Sequence, residues 1–176
     1  MGHFESRNFS GGLLMASNSI STSSQGSRAG SALKSTDVRA LASATAFVTL
    51  AGRILFAAIF ILSGFFHFSQ QDIAYAVHAG VPMAGFLVPA SGILALLGGL
   101  SILLGYRARI GAWLIVLFLV PVTLVMHNFW AVKDPMVAQI QMAMFMKNVA
   151  MLGGALLISQ FGAGPLSLDA RRNSAR

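Results

Sequence analysis

Four long apolar runs, separated by short polar or glycine-containing breaks, fill the chain from about Ala46 to Phe161. They cover residues 46–66, 83–104, 110–126 and 140–161. The hydrocarbon core of a bilayer is about 30 Å thick, so a spanning helix needs roughly 20 mostly apolar residues. Each run is close to that length. A soluble bundle would show polar residues at helical spacing along every segment, and these runs do not. The pattern predicts an all-α protein: an integral membrane four-helix up-down bundle. The short Gly105–Arg109 connection makes the second and third spans antiparallel neighbours. Pro89 and Pro121 fall inside predicted spans, where each is expected to free a carbonyl and bend its helix. Small residues mark close helix approach: Ser91, Ala95 and Gly99 beside Gly98 in the second span, and Gly153-Gly154-Ala155 in the fourth.

Composition agrees with a membrane protein: hydrophobic residues make up 56% of the 176 positions, charged residues 10%, and the mean hydropathy is +0.73. That length holds one bundle and little more. The formal net charge of +7 does not point to nucleic acid. A nucleic-acid surface interleaves basic and aromatic residues, and no segment does so. The basic residues instead flank the spans: Arg7, Arg28, Lys34 and Arg39 before the first, Arg107 and Arg109 in the second turn, and Arg171, Arg172 and Arg176 at the end. The other two loops, 67–82 and 127–139, together carry Lys133 beside Asp72 and Asp134. An even number of spans puts both termini on one side, and Lys and Arg collect in cytoplasmic segments, so both termini are expected to be cytoplasmic. Cysteine is absent, which removes disulfides, thiol relays and cysteine-ligated clusters.

Residues 1–45 are rich in Ser, Gly and Ala and lack apolar periodicity, so a mostly disordered cytoplasmic tail is expected there. It has no uninterrupted apolar core of the kind a secretory signal needs. A transit peptide, an over-called start with Met15 as the alternative, and an ordinary tail stay open. The membrane domain is expected over residues 46–165, followed by a basic cytoplasmic tail over 166–176.

Chemistry in such a chain resides in the polar groups at membrane depth. Arg53 lies roughly two turns into the first span and Lys147 roughly two turns into the fourth, with no Asp or Glu in any span. A charge at the bilayer centre costs about 2.5–3.5 kcal/mol on insertion scales, so such residues usually face the protein interior or water. Arg53 is expected to snorkel to the cytoplasmic headgroups; Lys147, with further to climb, is expected to be buried. At the outer face His67 closes the first span, His127 and Asn128 close the third, and Gln139 and Gln141 open the fourth. Helical spacing places Gln141, Phe145 and Asn148 on one face. This predicts one outward pocket holding two imidazoles, two carboxamides and Lys147. Interfacial anchoring is the plainer account of the same residues, and two histidines are a weak signal for haem or metal ligation.

These residues also carry a resemblance. Gly52-Arg53-Ile54-Leu55 with residues 60–67, then Gly98-Gly99 with residues 103–109, then Lys147-Asn148-Val149-Ala150-Met151-Leu152-Gly153-Gly154 with residues 162–169, resemble the DoxX family of small membrane proteins. The resemblance spans roughly residues 46 to 170. It implies a four-helix protein of the bacterial inner (plasma) membrane, related to the small quinone-facing subunit of a thiosulfate:quinone oxidoreductase, working with an oxidoreductase partner subunit. Relatives often carry Lys where this chain has His67. On that reading a quinone or small anion binds near the outer face. Lys147 supplies positive charge, His67 or His127 passes protons, Asn148, Gln141 and Asn128 line the pocket, and Arg53 holds the other end in register. A quinone is the expected cofactor, the bilayer an expected partner, and a homo-oligomer is open. The alternative is a non-enzymatic scaffold, stress-response or transport component.

Overall fold

A computed structural model describes residues 20–175 of the chain, with side-chain surroundings from residue 34 onward. The chain divides into two compact units, Met1–Ala44 and Thr45–Arg176. The described residues are helical apart from turns and loops: α1 (Ile20–Phe66), α2 (Gln70–His78), α3 (Ala84–Leu104), α4 (Ala108–Met126), a 3-10 turn (Phe129–Ala131), α5 (Pro135–Phe161) and α6 (Leu168–Ser174). Among them four helices are long and apolar enough to cross a membrane. This is the expected all-α membrane architecture.

Of the tail expected to be mostly disordered, residues 1–19 lie outside the described residues, whereas the backbone is helical from Ile20. No proline interrupts residues 20–44, and the side chains from Lys34 to Ala44 are exposed.

In the second unit, α3 packs against α1 on one side and α4 on the other, and α5 packs against α4 and α1. Glycine makes the close approaches. A Cβ on Gly92 would stand 2.7 Å from the His67 Cβ and 2.9 Å from the Gly64 carbonyl oxygen. One on Gly98 would meet Ile115 Cδ1 at 2.7 Å and the Gly111 carbonyl at 2.9 Å. Ala57, Phe60, Ala95, Ile102, Ala112, Ile115, Phe118, Leu119 and Ala155 form the core. Of the predicted small residues in the fourth span, Gly154 abuts the Phe56 ring and Ala155 is buried, while Gly153 faces open space.

The short helix α2 and the first turn of α5 were hidden by the hydropathy pattern. The start of α2 is capped by Ser69, whose hydroxyl accepts the Asp72 N–H at 3.1 Å. Ser-x-x-Asp is a recognisable start signal, so this helix was legible in principle. The α5 helix begins five residues before its apolar run. There Asp134 accepts the Met136 and Val137 amides at 2.9 and 3.0 Å and Pro135 occupies the first turn.

Candidate functional site

Arg53 and Lys147 take the opposite of their expected places. On α1 the buried stripe runs Arg53, Ala57, Phe60, Gly64, the i, i+4, i+7, i+11 positions of one helix face. Arg53 is 5% exposed and does not snorkel. Its guanidinium donates to the carbonyls of Ala163 at 2.9 Å, Leu103 at 3.2 Å and Leu166 at 3.1 Å. Its Nε is buried without a partner. On α5 the buried stripe is Asn148, Ala155 and Ser159. Lys147 stands one residue, about 100°, away from it. Its side chain is exposed, and its ammonium reaches Met144 Sδ at 3.5 Å. Lys147 therefore does not face the imidazoles, and the pocket loses its expected cation.

Around Arg53 the chain builds a clasp that reading along the sequence missed. Gly105 ends α3 with φ 64°, in the left-handed region that glycine enters freely. A Cβ there would stand 3.0 Å from both the Ala163 Cβ and Arg53 Nη1. Asp169 accepts the Arg107 and Ala108 amides at 2.9 and 3.1 Å, capping the start of α4, and donates its own N–H to the Gly105 carbonyl at 2.8 Å. Ser167 accepts the Ala170 amide and donates to the Gly164 carbonyl. The clue was present as Ser-x-Asp beyond the last span, but its partner is some sixty residues earlier.

At the other end the predicted residues separate into a rim and an interior. His127, half-buried at the end of α4, meets Gln141 with Nδ1 to Oε1 at 2.8 Å, and Gln141 Nε2 donates to the Tyr75 hydroxyl at 3.1 Å. In this arrangement His127 Nδ1–H is the donor and its Nε2 carries the lone pair. Tyr75, on α2, was not among the predicted residues. Phe129, Trp130 and Phe145 form an edge-to-face triad with centroids 5.1 to 5.8 Å apart, pinning the 3-10 turn to α5. Asn128 opens that turn through its carbonyl, which accepts the Ala131 amide at 2.9 Å; its side chain caps nothing.

His67 belongs to the interior. Its Nδ1–H donates to the Ser63 carbonyl at 2.7 Å, which leaves Nε2 as a bare acceptor, and its ring packs edge-on against Phe118 at 5.5 Å. Phe118 precedes His127 on α4 by nine residues, about 13 Å of helix, so the two imidazoles do not pair. Asn148 is 5% exposed; among the described residues its carboxamide makes no hydrogen bond, and its polar atoms are not fully enclosed, unlike Arg53 Nε. Counting about 1.5 Å per residue from the Arg53 end, His67 on α1, Thr123 on α4 and Asn148 on α5 stand at similar height, roughly 20 Å up the bundle. Thr123 returns its hydroxyl to the Leu119 carbonyl at 2.5 Å. Asn148 and the Nε2 of His67 are therefore the groups of this layer, among the described residues, whose hydrogen-bonding capacity is unspent. Among the described residues no group of three or more His, Cys, Asp or Glu could hold a metal.

Comparison with known proteins bears on the family. The model of the SURF4 family matches residues 2–174. The chain is also 33% identical over 125 residues to "Inner membrane protein YqjF" of Escherichia coli (strain K12), covering 68% of this chain and 88% of that protein. No solved structure matches. These matches overturn the resemblance to DoxX: the family assigned over nearly the whole length is a different one. The physical reason lies in what the shared motifs do here. Gly105, the 162–169 segment and Gly154 serve caps and close packing, which any compact four-span bundle requires.

Proposed function

The chain belongs to the SURF4 family, and from that premise we propose an inner-membrane protein that binds a small, uncharged, hydrogen-bonding ligand between α1, α4 and α5. The observation that carries this reading is Asn148, a largely covered residue of a membrane-spanning helix whose carboxamide has no partner among the described residues and still reaches the surface, where a ligand can meet it. A ligand carbonyl or hydroxyl would give that amide a hydrogen bond, worth about 0.5–1.5 kcal/mol net. The Nε2 of His67 offers an acceptor at similar height. With Lys147 turned outward, the site suits a neutral head group such as a quinone better than an oxyanion. The ligand would approach from the lipid or past the rim of His127, Gln141 and Tyr75, whose hydrogen-bonded chain is suited to passing a proton. Any electrons would come from a partner subunit, because this chain has no cysteine and no nucleotide-binding motif. The inner-membrane location follows the YqjF relative. The arginine-rich end, with Arg107, Arg109 and Arg171, is assigned to the cytoplasm by the positive-inside bias.

The test is titration of reconstituted protein with a short-chain quinone, read by quenching of tryptophan fluorescence. Saturable binding weakened about ten-fold by Asn148→Leu, a loss of roughly 1.4 kcal/mol, and untouched by Lys147→Met is expected. Absence of saturable binding, or an unchanged affinity in Asn148→Leu, would refute it. The second reading, a scaffold without a ligand, draws on the internal pairing of His127 with Gln141 and Tyr75. It predicts that Asn148→Leu raises stability and does nothing else.

A further inference from the structure

The arginine-rich end holds a feature independent of that ligand: an open groove of about 500 Å³ between the start of α4 and the 162–173 segment. Arg107, Arg109 and Asn173 contribute polar groups to its wall; Ile110 and Phe161 contribute apolar ones. Among the described residues neither guanidinium has a hydrogen-bond or ion-pair partner; Arg107 has only the Tyr106 ring face, 5.9 Å away. The Arg109 side chain lies across Gly162, where a Cβ would come 3.7 Å from its Nε. Asp169 is the acid of this wall, but both its oxygens are engaged by the Arg107 and Ala108 amides. Arg53 also acts on it electrostatically. The groove therefore presents two guanidinium groups without an ion-pair partner beside one carboxylate whose field Arg53 shares. Ile110 and Phe161, 54% and 80% exposed, continue the wall onto the surface that faces acyl chains.

We propose that this groove binds a phosphate oxyanion through Arg107 and Arg109, with an anionic phospholipid as its source and the acyl chains lying on Ile110 and Phe161. Guanidinium groups match phosphate oxygens in a two-pronged geometry. Basic pockets between spans on the cytoplasmic side suit anionic head groups. A soluble phosphate would use the same arginines and leave the apolar wall idle.

Trp113 reports on the site. It stands four residues after Arg109 on α4, on the same helix face, and is 54% exposed. The other tryptophan, Trp130, is removed as Trp130→Phe. That protein, in phosphatidylcholine bilayers, is titrated with brominated phosphatidylglycerol or brominated phosphatidylcholine, and quenching of Trp113 gives the relative affinity. A preference for phosphatidylglycerol of about five-fold or more is expected, the gain of one basic residue at an anionic surface. It should fall to near one in Arg107→Gln/Arg109→Gln. It should survive in Arg171→Gln/Arg172→Gln, which removes neighbouring charge from α6 outside the groove. Arg107→Lys/Arg109→Lys, retaining charge, should keep part of it and shows that loss in the glutamine pair is not misfolding. A ratio near one in the parent protein, or equal loss in both glutamine pairs, overturns the site. Repeating the titration with inorganic phosphate at constant ionic strength separates the sources. Preference that persists assigns the lipid; preference that phosphate abolishes overturns the lipid as the source.

Discussion

Replacing Arg53 by methionine tests the clasp directly. The guanidinium joins three carbonyls on two chain segments that lie 50 and more than 100 positions away: Leu103 at the end of α3, and Ala163 and Leu166 after α5. A hydrogen bond from a charged donor is worth about 1.5–3 kcal/mol, so three set a ceiling of roughly 5–9 kcal/mol. Two costs oppose it. Burying the charge takes it out of water, and the orphaned Nε alone costs about 1–3 kcal/mol. Methionine recovers part of the packing but leaves three carbonyls without donors. The net loss expected is about 2–4 kcal/mol. It is measured by reversible unfolding in mixed micelles, titrating sodium dodecyl sulfate and following helix content. Arg53→Lys, which keeps the charge but not the planar fork, should fall between the two. Limited proteolysis should find the 162–168 segment newly sensitive in Arg53→Met. If Arg53→Met unfolds within about 0.5 kcal/mol of the parent, the clasp is ornamental and a buried charge at this depth has some other cause.

Glycine positions give a paired prediction. Gly98→Ala drives a methyl to within 2.9 Å of the Gly111 backbone and should cost about 1–3 kcal/mol, as overpacking does. Gly153→Ala meets nothing within 4 Å and should be neutral or stabilising by up to about 1 kcal/mol, from helix propensity; thermal unfolding in detergent compares them. Lys147→Met removes a charge from an exposed mid-span position and should improve membrane insertion, by about 2.5–3.5 kcal/mol at most on insertion scales. A drop in insertion yield in a glycosylation-mapping assay would show that Lys147 has a counter-charge after all.

The sequence by itself determined the number of spans, their order, the antiparallel turn at Gly105 and the all-α class. Those follow from hydrocarbon thickness and from the backbone's need to satisfy its own hydrogen bonds in lipid, both of which act on local composition. It also held enough to find α2, through the Ser69 cap, had capping been weighed against hydropathy. Direction was another matter. Lys147 and Asn148 are adjacent in sequence, yet about 100° of helix rotation sends one outward and the other into the core. In a span that is apolar all round, periodicity does not say which face is which, so only the neighbours of α5 settled it. Arg53 and Asp169 were likewise decided by tertiary structure. Their partners lie 50 to more than 100 positions away along the chain, and no local pattern encodes which distant carbonyl or amide a helix end will meet.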